Sequence, residues 1–118
     1  MDLHKVFAEL REIMLPYARK LKCTSDREDE LSLETEYLLE NRKPLWFGAV
    51  QNKKNYVSYH LMPVYVNPGL LAHISPELKK RMQGKSCFNF SSSDAALFEE
   101  LKELTEAAYQ DYKDRGYV

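Results

Sequence analysis

Residues 84–93, GKSCFNFSSS, bring together three residue patterns that could carry chemistry. The first is a Gly-Lys-Ser triplet at 84–86, the end of a phosphate-binding loop whose backbone amides and lysine cradle phosphate. That loop needs another glycine five positions before Gly84, but the sequence has Lys79 there, and the segment joins a predicted helix to a predicted strand. The second is an Asn-Phe-Ser sequon at 89–91, which matters only in a secreted chain. Of the three candidates, only the thiol of Cys87 is left as a group that could carry chemistry.

A histidine beside Cys87 could act as a base and make the thiolate available for nucleophilic catalysis. His60 is the candidate base, but nothing in the order of the chain places it beside Cys87, and no acid that could orient its ring is evident. A small, half-buried strand residue is therefore the favoured interpretation of Cys87. Cys23 lies in a charged segment, and two cysteines without an export signal are expected to be reduced thiols.

An acid-rich stretch offers a different chemistry. Hard cations prefer oxygen ligands, so a patch of carboxylates could hold iron or magnesium loosely. A solvated loop and an exposed strand face are the more common interpretation of such a run, and the spacing is not that of an EF-hand. The six carboxylates belong to Asp26, Glu28, Asp29, Glu30, Glu34 and Glu36.

Composition limits the classes of function. Seventeen basic and eighteen acidic residues give a formal net charge of -1, which supplies no field to concentrate the protein on nucleic acid or an anionic membrane. The N-terminal residues lack the basic and apolar regions of a signal peptide, and no apolar run approaches the roughly 20 residues of a membrane helix. The sequence therefore predicts a cytoplasmic protein with no nucleic-acid or membrane partner.

Hydrophobic periodicity predicts the elements that position these residues. Residues 3–21 have the spacing of an amphipathic helix that Pro16 interrupts near Leu15. Residues 23–30 are predicted to be a loop, 31–39 a strand, 45–51 and 55–62 a β-hairpin, and 85–90 a further strand. Asn67 and Ser75, each followed by proline, predict two short helices, the second ending at Gly84. The segment 91–116 is predicted to contain the clearest helix, with Gly116 at its end.

This order predicts one α+β domain over residues 1–118: a two-layer sandwich in which an antiparallel sheet of about four to five strands carries the N- and C-terminal helices on one face. Alternation in the hairpin separates two sets of side chains. The set expected under the helices is Leu45, Phe47, Ala49, Val57, Tyr59 and Leu61. The set expected on the other face is Trp46, Val50, Tyr56, Ser58, His60 and Met62.

The run YVSYHLMPVY, the proline-flanked ISPELKKRMQGKSCFNF and the acidic helix that follows together resemble the YdhG-like bacterial proteins, small domains of unknown function with a frataxin-like architecture. The resemblance covers roughly residues 30–112. It implies an α+β domain, with an iron-chaperone role proposed by analogy for some relatives. The first helix departs from the frataxin pattern, because its acids are scattered and form no dense ridge, and fold analogy does not carry function.

We therefore expect a non-enzymatic binding or interaction module without a cofactor, whose partner is a protein or a small ligand and which could form a homodimer. The alternative is a frataxin-like chaperone that binds iron through the six carboxylates. The residues expected on the binding face are Trp46, Tyr56, Ser58, His60 and Cys87.

Overall fold

The computed structural model describes residues 2–118. Its first helix, α1 (Leu3–Met14), begins where the Asp2 side chain accepts a hydrogen bond from the Lys5 amide, and its apolar stripe is buried. Pro16 lacks an amide donor, and α1 ends at Met14, where a 3-10 helix (Leu15–Arg19) takes over. The predicted break near Leu15 is confirmed.

A five-stranded antiparallel sheet follows, with its strands in sequence order. The strands are β1 (Lys22–Arg27), β2 (Glu30–Leu38), β3 (Pro44–Asn52), β4 (Val57–Leu61) and β5 (Cys87–Phe90). The predicted hairpin is the β3–β4 pair.

The prediction of a loop at residues 23–30 is wrong, because most of this segment belongs to the edge strand β1, which pairs with β2. Most side chains of β1 are exposed, so the segment has no alternation of apolar and polar residues that could have revealed a strand.

Between β4 and β5 the chain forms α2 (Met62–Val66), a 3-10 helix (Pro68–His73) and α3 (Pro76–Lys79). The side chains of Asn67 and Ser75 accept hydrogen bonds from backbone amides, as predicted for caps. Gly84 has the left-handed φ of 80° that glycine tolerates. It does not end α3, however, which stops at Lys79; Gly84 lies in the turn before β5.

The last helix, α4 (Ala95–Asp114), starts at its cap Asp94 and is followed by Gly116 at a φ of 80°. Its buried stripe packs with α1 and the other helices against one face of the sheet, which gives the predicted two-layer α+β sandwich. The stripe comprises Leu97, Phe98, Leu101, Leu104, Thr105, Ala108 and Tyr112.

A β-bulge in β3 changes which side chains face the helices. Leu33 of β2 pairs with Gly48, but the next residue, Glu34, pairs with Trp46, so Phe47 is an extra residue on β3. Phe47 is fully buried against the rings of α4, and Gly48 also faces the helices. The side-chain alternation of β3 is therefore reversed after the bulge.

Three of the predicted orientations are wrong: two because of this reversal in β3, and the third because β4 ends at Leu61. Val50 lies opposite Tyr59 and is fully buried in the core, whereas Ala49 lies opposite His60 on the other face. Met62, also predicted on that other face, starts α2 and packs partly against the core. Strict alternation failed because it assumed a strand without an extra residue.

Within residues 2–118, no helix is long and apolar enough to cross a membrane.

Candidate binding face

The side of the sheet opposite the helices is called the outer face here. Cross-strand pairing assigns its residues, because directly opposed residues of an antiparallel pair point to the same side. Ala49 pairs with Ser32 and with His60, and His60 pairs with Cys87. The central residues of the outer face are Ser32, Trp46, Ala49, Gln51, Ser58, His60, Cys87 and Asn89.

Trp46 is the large aromatic side chain of this face and is half-buried. Its indole N–H donates a hydrogen bond of 3.2 Å to the Ser32 hydroxyl. Its ring centroid lies 5.4 Å from that of His60, with the ring planes tilted by 41°. These contacts hold the indole against the sheet, and part of its surface stays exposed.

Behind Trp46, the His60 ring is part of a small polar cluster. Nε2 of His60 lies 3.1 Å from Oγ of Ser58 and 3.9 Å from Sγ of Cys87. The Cys87 thiol also donates a hydrogen bond of 3.4 Å to Oδ1 of Asn89. Ser58 is almost fully buried, while His60 and Cys87 are half-buried.

The surroundings of His60 and Cys87 favour the neutral form of each side chain. Burial lowers the pKa of His60 below its usual range, and the ammonium of Lys53 lowers it further. Burial raises the pKa of the Cys87 thiol, an effect that Lys53 opposes. A reactive cysteine needs a stabilised thiolate, and this pair favours a neutral thiol beside a neutral imidazole. The arrangement therefore gives little support to nucleophilic catalysis.

The structure brings together four of the five residues predicted for the binding face. Trp46, Ser58, His60 and Cys87 lie within one patch, and the adjacency of His60 and Cys87, which the order of the chain left open, comes from their direct pairing between β4 and β5. Tyr56 precedes β4 and is 38% exposed at the end of the β3–β4 connection, at the margin of this patch.

The sequence did not predict that Ala49 and residues 81–83 contribute to the outer face or its border. Ala49 was assigned to the core because the bulge has no recognisable sequence pattern. Residues 81–83 add a short extension beyond β5: the Asn89 amide donates to the Arg81 carbonyl (2.8 Å), and the Gln83 amide donates to the Cys87 carbonyl (2.9 Å). Arg81 and Gln83 therefore lie opposite outer-face residues and border the patch.

The six carboxylates of the iron-binding alternative are distributed along β1, β2 and their turn. Asp26 pairs with Arg11 of α1 at 3.0 Å, on the helical side of the sheet. Glu30 accepts hydrogen bonds from Gln51 (2.6 Å) and Arg27 (2.9 Å), and these bonds and one from Ser25 lower its pKa. Across the part of the chain that the structure describes, no group of three or more ligating side chains could hold a metal ion. Iron binding stays a prediction without a preformed site.

Two surface depressions lie away from the outer face. One, of about 830 Å³, is bordered by the 3-10 helix after α1, the ends of β1 and β2, and the C-terminal residues. The other, of about 430 Å³, lies between the start of α1 and residues 91–93. Trp46 and His60 line neither of them.

No family model, curated protein or solved structure matches the chain. The resemblance to the YdhG-like proteins accordingly stays a prediction, and function has to be argued from the outer face itself.

Proposed function

We propose that this protein is a non-enzymatic binding domain whose outer face contacts another protein surface, and that a second copy of the chain is the occupant. The observation that carries the proposal is the half-buried Trp46 on a sheet face that lacks a helical cover. Tryptophan is enriched at the centres of protein interfaces because it combines a large apolar area with one hydrogen-bond donor.

The hydrogen bonding of the outer face supports its burial against a protein. The Trp46 indole and the Ser58 hydroxyl already have partners within the face, as does the Gln51 amide. Among the described residues, no buried side-chain nitrogen or oxygen lacks a partner. A second surface could therefore cover the Trp46 indole N–H and the Ser58 hydroxyl while they keep their partners, which avoids the main penalty of burying polar side chains.

A protein surface fits the face better than a small ligand does. Small-molecule sites are concave, and neither of the two depressions described above is lined by Trp46 or His60. Two identical sheets can stack face to face about 10 Å apart, related by a two-fold axis. The net charge of -1 gives little repulsion between copies.

Sedimentation equilibrium over a range of protein concentrations tests this proposal. The variant Trp46→Lys places a charge at the centre of the outer face, and Tyr65→Lys is its matched control, because Tyr65 is an aromatic residue, 55% exposed, on α2. The parent and Tyr65→Lys should self-associate equally, and Trp46→Lys should stay monomeric. A parent that is monomeric throughout, or two variants with equal effects, would contradict the proposal.

A further inference from the structure

Cys87 and His60 form a pair of metal-ligating side chains on the outer face. They are directly opposed on β4 and β5, and both are half-buried. Cys87 is therefore not an isolated thiol, because an imidazole nitrogen of a neighbouring strand lies beside its sulfur. Thiolate sulfur and imidazole nitrogen are the donor atoms that copper ions prefer.

The distance between the two donor atoms fits a single ion between them. The bond lengths of zinc are about 2.3 Å to a thiolate sulfur and about 2.0 Å to an imidazole nitrogen, so donors on opposite sides of an ion with such bonds are about 4.3 Å apart. At a tetrahedral angle the same bond lengths give about 3.5 Å. Sγ of Cys87 and Nε2 of His60 are 3.9 Å apart. The separation lies midway between these two values, so one ion can bridge the pair at an angle wider than tetrahedral.

The charge of the site selects a monovalent ion. A thiolate and a monovalent cation together have no net charge, so a half-buried position accepts their complex without the penalty that it imposes on an isolated charge. Zinc would leave one positive charge near the Lys53 ammonium. Zinc also needs four ligands as a rule, and the described residues offer no group of even three.

We propose that Cys87 and His60 bind one thiophilic monovalent cation, copper(I), between Sγ and Nε2. The thiol loses its proton to water, bonds from sulfur and nitrogen to copper form, and the oxidation state of copper does not change. Copper binding needs the lone pair of Nε2, so the Ser58 hydroxyl, 3.1 Å away, would have to give up its contact with this nitrogen. This site goes beyond the proposed function and does not depend on self-association.

The indole of Trp46 provides a reporter for binding. It is the sole tryptophan of the chain, and its ring centroid lies 5.4 Å from that of His60. A copper ion on Nε2 would quench its fluorescence. The matched control is the Cys23→Ser variant, which removes the other thiol of the chain. Cys23 is exposed, and its sulfur contacts the Ser25 carbonyl at 3.5 Å.

The experiment titrates the full chain with copper(I) under anaerobic conditions, at protein concentrations where sedimentation shows a monomer. A competing copper(I) chelator sets the affinity scale. The parent and Cys23→Ser should bind one equivalent with equal affinity, quench Trp46 and release one proton. Cys87→Ser should weaken binding about a hundredfold and His60→Gln about tenfold, since each removes one ligand. Circular dichroism checks that each variant is folded.

Three results would overturn the proposal: no saturable binding to the parent, a Cys23→Ser variant that loses the site, or a folded His60→Gln variant that binds as tightly as the parent. The last would show an ordinary thiol adduct at Cys87. Because the titration uses the monomer, the two proposals are tested separately. The protein could dimerise without binding copper(I), or bind copper(I) without dimerising.

Discussion

The two faces of the sheet differ most sharply at Phe47 and Trp46, which are neighbours in sequence. Phe47 is fully buried, and its ring contacts the rings of Tyr17, Tyr109 and Tyr112. Trp46 is half-buried on the outer face, where its side chain contacts Ser32 and His60. Adjacent aromatic residues thus serve different purposes: one belongs to the core that stabilises the fold, and the other is available for contact.

Polar groups differ between the faces in the same way. On the helical side, the Tyr59 hydroxyl meets Thr105 at 2.7 Å, and the Thr105 hydroxyl donates to the Leu101 carbonyl, so a few polar atoms are fully enclosed in an apolar core. The outer face instead has side-chain pairs such as Trp46 with Ser32. The large apolar core therefore lies on the helical side of the sheet, and we expect most of the stability to come from that side.

Truncation of the two neighbouring aromatics should separate the faces most clearly. Phe47→Ala should lower the free energy of unfolding by about 3–5 kcal/mol, because it leaves a cavity in the core. Trp46→Ala should lower it by only about 1 kcal/mol, because its side chain is half-exposed. Urea denaturation of both variants measures the difference. Equal losses would show that the outer face is part of the stabilising core.

The bulge can be tested at Gly48. A Cβ at this position would lie 2.8 Å from Cε of Met14 and would also strike the His60 backbone carbonyl, which cannot move away as a flexible side chain can. Gly48→Ala should therefore lower the free energy of unfolding by about 2–3 kcal/mol. The matched control is Gly84→Asn, at a left-handed position with open space around it, where asparagine is tolerated. A Gly48→Ala variant as stable as the parent would rule out this close packing.

The reaction rates of the two cysteines compare a thiol on each side of the sheet. Cys23 is exposed, whereas Cys87 is half-buried and burial raises its pKa. With a disulfide reagent near neutral pH, Cys23 in the Cys87→Ser variant should react about tenfold faster than Cys87 in the Cys23→Ser variant. A faster Cys87 would instead favour the nucleophile hypothesis.

The smallest expected effect is the pH dependence that His60 contributes. Its folded pKa is lowered from 6.5, so between the folded and unfolded values the unfolded chain binds more protons. The neutral imidazole makes its full contribution to stability above the pKa that His60 has in the unfolded chain. This contribution is lost as the pH falls towards the pKa of His60 in the folded protein. Denaturation from about pH 8 to about pH 5 should show this loss in the parent and a smaller one in His60→Gln. Identical profiles would mean that His60 is solvated.

The sequence was sufficient for the elements with strong periodicity or clear caps. The helices α1 and α4, the break at Pro16 and the strand with Phe88 and Phe90 buried follow from apolar spacing and side-chain chemistry. The edge strand β1 could not be predicted, because its exposed side chains have no apolar face. The pairing of His60 with Cys87 and the bulge at Phe47 depend on how several strands pack together. Neither feature leaves a local pattern in the sequence.

Fluorescence quenching of Trp46 by acrylamide, measured as a function of protein concentration, tests the proposed role of the outer face most directly. Trp46 should be accessible in dilute protein, and its quenching constant should fall in parallel with the fraction of dimer seen by sedimentation. A quenching constant that does not change while the protein dimerises would place the interface elsewhere. A monomer at every concentration would contradict self-association through this face altogether.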